Sequence, residues 1–289
     1  MRTVSSIQEL RASLHKVRPQ TIGFVPTMGY LHEGHLSLVD KAKETADVVV
    51  MSIFVNPLQF GPNEDLANYP RDIERDSRLA ESRGVDILFF PSVEEMYPPG
   101  SKTNVSVQDI TESMCGASRP GHFDGVTTVV AKLFNIIQPD YAFFGMKDAQ
   151  QVAVVMQMVR DLNMPIEVVP CPIVREADGL ALSSRNVYLS PEERRQALVL
   201  SRALRQVQSM VGLGERNVET LRTAIEKVIQ ESPLASIDYI EIRSYPGLMP
   251  LEELHGDCIV ALAVRFGNTR LIDNIMLVAS QEEAACSVQ

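Results

Sequence analysis

No run of this 289-residue chain is apolar for long enough to cross a bilayer, and its first segment, "MRTVSSIQELRASL", lacks the apolar core of a signal peptide. Its four cysteines, Cys115, Cys171, Cys258 and Cys286, lie far apart with no CxxC pair. That is poor material for a disulfide framework or a zinc knot, and it fits a reducing compartment. A basic surplus is missing too: 27 Lys and Arg stand against 37 Asp and Glu, a net charge of -10. Such a balance argues against a nucleic-acid surface, although a local cluster of cations can still hold an anionic small molecule. Internal repeats and low-complexity segments are absent. With 45% hydrophobic residues, the chain can bury a sizeable core. These features predict a soluble, cytoplasmic protein of one large domain or two ordinary ones.

Short β-rich runs alternate with helical patterns through the first two-thirds. "TIGFVP" (21–26) reads as a strand and "HLSLVDKAKETA" as a helix. "DVVVMSIFV" (47–55) is a near-continuous apolar strand of the kind buried on both faces of a parallel sheet. A helix over 72–83, strand "VDILFFP", helix "GVTTVVAKLFNIIQ", strand "YAFFG", a helix over 148–162 and strand "IEVVPCPIV" complete the series. This alternation predicts an α/β fold, a Rossmann-like doubly wound parallel sheet with right-handed crossovers. After Val174 the pattern changes. Helical segments over 191–211 and 218–231 precede "IDYIEIRSY", "CIVALAVRF" and "TRLIDNIML", the last two joined by a Gly-Asn hairpin turn. The expected division is a first domain over 1–174 and a smaller C-terminal α+β domain over 175–289, with a frayed tail "SQEEAACSVQ".

Open α/β sheets bind ligands beyond the carboxyl ends of their strands, near the topological switch point. "PTMGYLHEGH" (26–35) occupies that place if "TIGFVP" is the first core strand. Gly29 permits close backbone approach, Gly34 keeps the helix entrance uncrowded, and the first helical turn offers free N–H groups to phosphate. His32 and His35, three apart, project to one side of that turn and can donate to phosphate oxygens. "HEGH" is not a zinc-protease signature, because the position four after His32 is Leu36.

"FFGMKDAQQ" (143–151) repeats the strand-to-helix context. There Lys147 can serve a polyphosphate, and Asp148 can cap the helix or hold Mg²⁺. A plain strand–turn–helix link with a surface lysine fits that stretch equally well. "GLALSSRNVYL" (179–189) sets Ser183, Ser184 and Arg185 at the expected domain junction, as phosphate donors or as a helix cap. "IFVNPLQFG" supplies the amides of Asn56 and Gln59, suited to a hydroxylated acid or simply to an Asn-Pro turn, and Gln151 can join them.

Taken in order, "VPTMGYLHEGH", "SIFVNPLQF", "YPR", "SRPGHFDGV", "FGMKDAQQ", "DGLALSSRN" and "TRLIDN" resemble the pantothenate synthetase (pantoate–β-alanine ligase) family over residues 20–278. The first motif alone belongs to the wider HIGH-type nucleotidyltransferase superfamily; the combination is far more specific. The resemblance implies an AMP-forming ligase in which ATP activates pantoate as pantoyl adenylate and β-alanine then displaces AMP. A superfamily nucleotidyltransferase acting on another small acid or a phosphorylated substrate is the alternative. The resemblance further implies that Met28, Gly29, Tyr30, Leu31, His32, Glu33, Gly34 and His35 line ATP, with His35 in the place of a proton donor and His32 assisting. Gly145, Met146, Lys147, Asp148 and Val174 would also meet ATP, as would Leu182, Ser183, Ser184 and Arg185 as the C-terminal domain closes. Lys147 and Arg185 would be catalytic. Gln59 and Gln151 would hold pantoate, with Gln59 near β-alanine and Asn56 beside it. Mg²⁺ is implied with ATP, held mainly by phosphate and water, with Asp76 as a protein contact, and so is a homodimer.

Overall fold

The computed structural model describes residues 1–62 and 64–279; the tail expected to fray lies outside them. The strands are β1 (Arg2–Val4), β2 (Ile22–Thr27), β3 (Val48–Ile53), β4 (Ile87–Phe89), β5 (Tyr141–Gly145), β6 (Glu167–Cys171), β7 (Ala235–Ser244), β8 (Gly256–Phe266) and β9 (Thr269–Ala279). The helices are α1 (Ile7–His15), α2 (Glu33–Thr45), α3 (Ile73–Ser82), α4 (Val93–Met96), α5 (Cys115–Ser118), α6 (His122–Ile137), α7 (Ala149–Asp161), α8 (Pro191–Ala197), α9 (Val199–Gly212) and α10 (Val218–Gln230). Single 3₁₀ turns cover Pro57–Gln59, Met146–Asp148 and Ser184–Tyr188.

Two compact units result. The first comprises Met1–Val174 and Leu182–Ser184; the second comprises Arg175–Ala181 and the chain from Arg185 on. The chain therefore leaves the first unit after Val174, returns for three residues, and leaves again.

In the first unit six parallel strands run in the order β1-β4-β3-β2-β5-β6. Strands β3 and β4 extend the sheet to one side of β2, and β5 and β6 extend it to the other. The switch point thus falls between β2 and β5, where "PTMGYLHEGH" and "FGMKDAQQ" both emerge. Every residue of β3 is buried, as its uninterrupted apolar run requires of a strand covered on both faces. Helix α6 is buried over most of its length, and its Phe134 meets Phe24 and Phe144 edge-on at 6.3 and 6.4 Å between centroids. The edge strand β1 and helix α1 did not stand out in the sequence. Three residues give too short a pattern to read, and β1 forms because Arg2, Thr3 and Val4 find partners on β4, 85 residues away in sequence.

The second unit carries the antiparallel sheet β7-β8-β9, with β8 and β9 joined at the expected Gly267-Asn268 turn. Helices α9 and α10 bury Leu200, Leu204, Leu221 and Ile225 in one core with Val260, Leu262 and Phe266 of β8. The helical pattern over 191–211 is two helices: Pro191 starts α8 behind a Ser190–Glu193 capping box, and the chain turns at Leu198 into α9.

Candidate active site

Residue Gly29 follows β2 with φ +86°, and an added Cβ would lie 3.0 Å from Ile53 Cγ2 and 3.1 Å from Asp76 Oδ2. Both the backbone conformation and the space demand glycine. Tyr30 follows with φ 50°, a strained value for an aromatic residue, and its neighbours hold it there. Asp76, 1% exposed on α3, accepts Tyr30 N–H at 2.6 Å and Leu31 N–H at 2.8 Å. Arg75 donates to Asp76 at 3.2 Å and to Leu31 O at 2.9 Å, and its guanidinium sits 5.0 Å from the centre of the Tyr30 ring. Burial raises the Asp76 carboxyl from its usual range, against the backbone donors and Arg75, which pull it down. Asp76 therefore clamps the turn, each of its oxygens accepting a backbone N–H.

That clamp delivers the chain to α2. His32 is the N-cap, and its Nδ1 accepts Gly34 N–H at 3.1 Å. One turn on, His35 Nδ1 accepts His32 N–H at 3.4 Å, and the two rings lie 4.0 Å apart at a 34° tilt. An Nδ1 that accepts carries no proton, so in the neutral form of each ring this pattern places the proton on Nε2. Burial, then the nearby charges of His32 and Lys147, hold His35 well below the ordinary imidazole range. Gly34 is required because the His32 ring packs over it: an added Cβ would stand 2.9 Å from His32 Cε1 and Nδ1. The same point is 3.7 Å from Leu182 Cβ, and Leu182 N–H donates to Val174 O at 3.0 Å. The structure thus brings Val174 and Leu182 to the entrance of α2.

Not every side chain of the motif turns to this place. Leu31 is fully buried in the core, Tyr30 lies against Arg75, and Glu33 pairs with Arg83 on the outer face of α3.

Across the switch point, Lys147 and Asp148 sit in the 3₁₀ turn before α7, 3.8 Å apart between Nζ and Oδ2. Asp148 occupies the N-cap position of α7 without a capping hydrogen bond from its side chain. Gly145 has an ordinary φ and nothing within 4 Å of an added Cβ, so no protein atom requires glycine there. Gln151 lies in the first turn of α7, partly exposed. Ser184 is buried at the start of its 3₁₀ turn, Ser183 precedes it, and Arg185 begins the second unit's long segment.

The amides after β3 are tightly held. Asn56, 1% exposed, accepts Tyr97 O–H at 2.9 Å and Leu58 N–H at 3.3 Å, and donates to Gln59 Oε1 at 3.2 Å and Gly125 O at 3.0 Å. Its hydrogen-bonding capacity is spent inside the protein, so Asn56 orients Gln59 rather than contacting a substrate itself. Gln59 Nε2 donates to Met28 Sδ at 3.1 Å, a weak acceptor. Gly125 lets α6 touch this turn: an added Cβ would meet Leu58 O at 2.4 Å and Gln59 N at 2.6 Å.

Residues outside the predicted set complete the support. His122 Nδ1 donates to Gln59 O at 2.8 Å, Arg119 Nη2 donates to the same oxygen at 3.2 Å, and Arg119 Nη1 donates to His122 Nε2 at 3.0 Å. Glu64 grips Arg119 through Nε at 2.7 Å and Nη2 at 2.5 Å. Burial and the Arg119 charge push His122 down to about 4, so it is neutral at pH 7. The motif "SRPGHFDGV" carried Arg119 and His122 in plain view, but their roles depend on a carbonyl sixty residues earlier. Among the described residues, no group of three or more His, Cys, Asp or Glu side chains could hold a metal ion, and no helix is long and apolar enough to cross a membrane.

Comparison with known proteins bears on this geometry. The family model described as pantoate-beta-alanine ligase matches residues 2–276. A pantothenate synthetase of Heliobacterium modesticaldum is 61% identical over 279 residues, 96% of this chain and 99% of that protein. Crystal structures give the same answer. Pantothenate synthetase from Thermus thermophilus is 52% identical with a TM-score of 0.92, covering 95% of this chain and 99% of that one. Pantoate-beta-alanine ligase from Francisella tularensis, complexed with beta-gamma ATP and beta-alanine, is 37% identical with a TM-score of 0.79, covering 96% and 97%. With a model matched across nearly its whole length and close relatives of equal extent, the chain belongs to the pantoate–β-alanine ligase family.

Proposed function

We propose that the chain condenses pantoate with β-alanine at the expense of ATP, and that the His32–His35 turn and Lys147 form the phosphate end of its site. In the first step a pantoate carboxylate oxygen attacks the α-phosphorus, the bond from that phosphorus to the bridging oxygen breaks, and pyrophosphate leaves. In the second, the β-alanine amine attacks the acyl carbon, the C–O bond to the phosphoryl group breaks, and AMP leaves as the nitrogen loses a proton. A carboxylate is a poor acyl donor until its oxygen becomes a good leaving group, which adenylation achieves.

The observation that carries the assignment is the pair of Nδ1 acceptors. With each Nδ1 bonded to its own turn, Nε2 is the ring atom left to each imidazole for donation to phosphate, and burial keeps His35 neutral. A neutral imidazole is a hydrogen-bond donor and a very weak acid, so this reading gives His35 and His32 stabilisation of phosphoryl charge rather than proton donation. Lys147 adds a point charge, and the bare backbone at Gly145 admits the nucleotide closely. Ser183, Ser184 and Arg185 are proposed as further phosphate donors from their residue types. Gln59 and Gln151 are proposed to receive pantoate, Gln59 through the side-chain amide whose oxygen Asn56 holds.

Among the described residues no group of three or more His, Cys, Asp or Glu side chains could hold Mg²⁺, and Asp76 accepts two backbone N–H groups. Mg²⁺ is proposed to come with the nucleotide, held by its phosphates and water. A homodimeric, cytoplasmic enzyme is supported by the resemblance alone, and sedimentation of the purified chain tests the dimer. The activity test is pantoate-dependent exchange of pyrophosphate into ATP, together with AMP release that requires β-alanine. Exchange without β-alanine-dependent turnover would mark a nucleotidyltransferase instead.

A further inference from the structure

The side chain of Gln150, second in α7 and 4% exposed, makes three hydrogen bonds to one distant loop. Its Oε1 accepts Cys115 N–H at 2.9 Å, and its Nε2 donates to Ile110 O at 3.0 Å and Ser113 O at 2.8 Å. Both amide hydrogens and the carbonyl are used, and no shorter or charged residue has that set of partners at that reach. The loop needs such a hold. Asp109 and Met114 take φ values of 62° and 53°, which cost free energy in residues other than glycine. Gly116 is folded so tightly on Thr111 that an added Cβ would lie 1.7 Å from its carbonyl oxygen. Immediately after this loop come α5, then Arg119 and His122, the two side chains that converge on Gln59 O.

We infer that Gln150 is a positioning residue for pantoate: it fixes the 110–116 loop, which sets Arg119 and His122, which in turn set Gln59. The inference rests on the proposed reading of Gln59 as a pantoate contact. Gln150 stands between Lys147 and Gln151 in the chain, yet its side chain is spent on the loop at Cys115. It ties the helix entrance at the phosphate end to the turn that carries the acid's amide. The link is held at three points, one of them the buried Cys115 N–H, and the other two, the carbonyls of Ile110 and Ser113, adjoin the positive-φ residues Asp109 and Met114.

The test is steady-state kinetics on the full chain for Gln150→Met, which keeps the volume and removes all three bonds, and Gln150→Glu, which keeps the acceptor and sets a carboxylate against two carbonyls. The expected result is a pantoate KM raised about tenfold or more, with the KM values for ATP and β-alanine within about threefold of the parent. Combined with Gln59→Ala, Gln150→Met is expected to add less than about twofold, because both changes act on one contact. Independent, multiplying effects in that cycle, or equal shifts in all three KM values, overturn the inference. Variants that lose their fold at 25 °C in both cases assign Gln150 to stability alone and also overturn it. If Gln59→Ala itself leaves the pantoate KM unchanged, it is the Gln59 reading that fails, and the cycle shows this separately.

Discussion

His32 and His35 stand face to face with ring centroids 4.0 Å apart, each giving Nδ1 to a backbone N–H of the turn that carries them. Their protonation state is thereby built into the helix entrance. An imidazolium would turn an N–H toward an N–H, and burial beside Lys147 already disfavours the charge. His35→Ala is expected to slow pantoate-dependent pyrophosphate exchange by about 10²–10³, the usual cost of one transition-state donor. His35→Gln, which keeps a donor, should recover about tenfold of this. Equal losses in the two variants would show that donation is not the role.

Lys147→Ala is expected to cut the adenylation rate by several orders of magnitude, since a buried phosphate contact of this type contributes about 3–5 kcal/mol. Single-turnover formation of AMP measures it. A rate within about threefold of the parent removes Lys147 from the reaction.

Gly125→Ala puts a methyl group 2.4 Å from Leu58 O and 2.6 Å from Gln59 N, all of it backbone that cannot rotate away. The 57–59 turn must shift from α6 and break the Asn56–Gly125 bond. Overpacking of this kind costs about 1–3 kcal/mol. A raised pantoate KM is expected together with a lower melting temperature, and an unchanged pantoate KM in a folded variant would count against the close approach.

Asp76→Asn leaves one carbonyl oxygen for the N–H groups of Tyr30 and Leu31 and turns an NH₂ toward the other. Losing a buried acceptor should destabilise the chain by about 1–3 kcal/mol and raise the ATP KM, with the pantoate KM less affected. Thermal melts and ATP titrations report the two effects, and a variant that matches the parent in both would refute the clamp.

The pH dependence of stability has a defined sign at His122. Its folded value is about 4, against about 6.5 for a free imidazole, so between these values the unfolded chain binds a proton that the folded chain does not. Stability from this group is complete above about pH 6.5 and is lost as pH falls toward 4; the depressed His35 acts in the same direction. Urea midpoints of the parent should drop from pH 7.5 to pH 5, and His122→Gln should flatten the drop. An unaltered slope would show that His122 is not held neutral.

Much of the first unit could be read along the chain because local chemistry decides it. The apolar run Val48–Ile53 can only be a strand covered on both faces, and Gly29 and Gly34 mark a turn crowded by its own neighbours. Motif residues were legible as residue types suited to phosphate and amide recognition, and so was the family resemblance they carry together. Their division of labour was not. Asn56 and Gln59 are three apart and chemically alike, yet one is spent within the protein while the amide of the other donates only to the weak acceptor Met28 Sδ. The sequence offered Asp76 only as a metal contact, and the fold shows it accepting two backbone N–H groups of the turn. Gln150 and Gln151 are adjacent amides, and only the fold sends the first to the loop at Cys115.

By itself the sequence determined the alternation of strand and helix, the place where the winding reverses, and the set of cations, imidazoles and amides gathered there. These follow from periodicity and residue chemistry, which act over a few neighbouring positions. Tertiary structure decided which polar atoms were already satisfied. A hydrogen-bond partner sixty residues away, such as Gln59 O for Arg119 or His122, is fixed by the meeting of two segments and leaves no trace in either one alone.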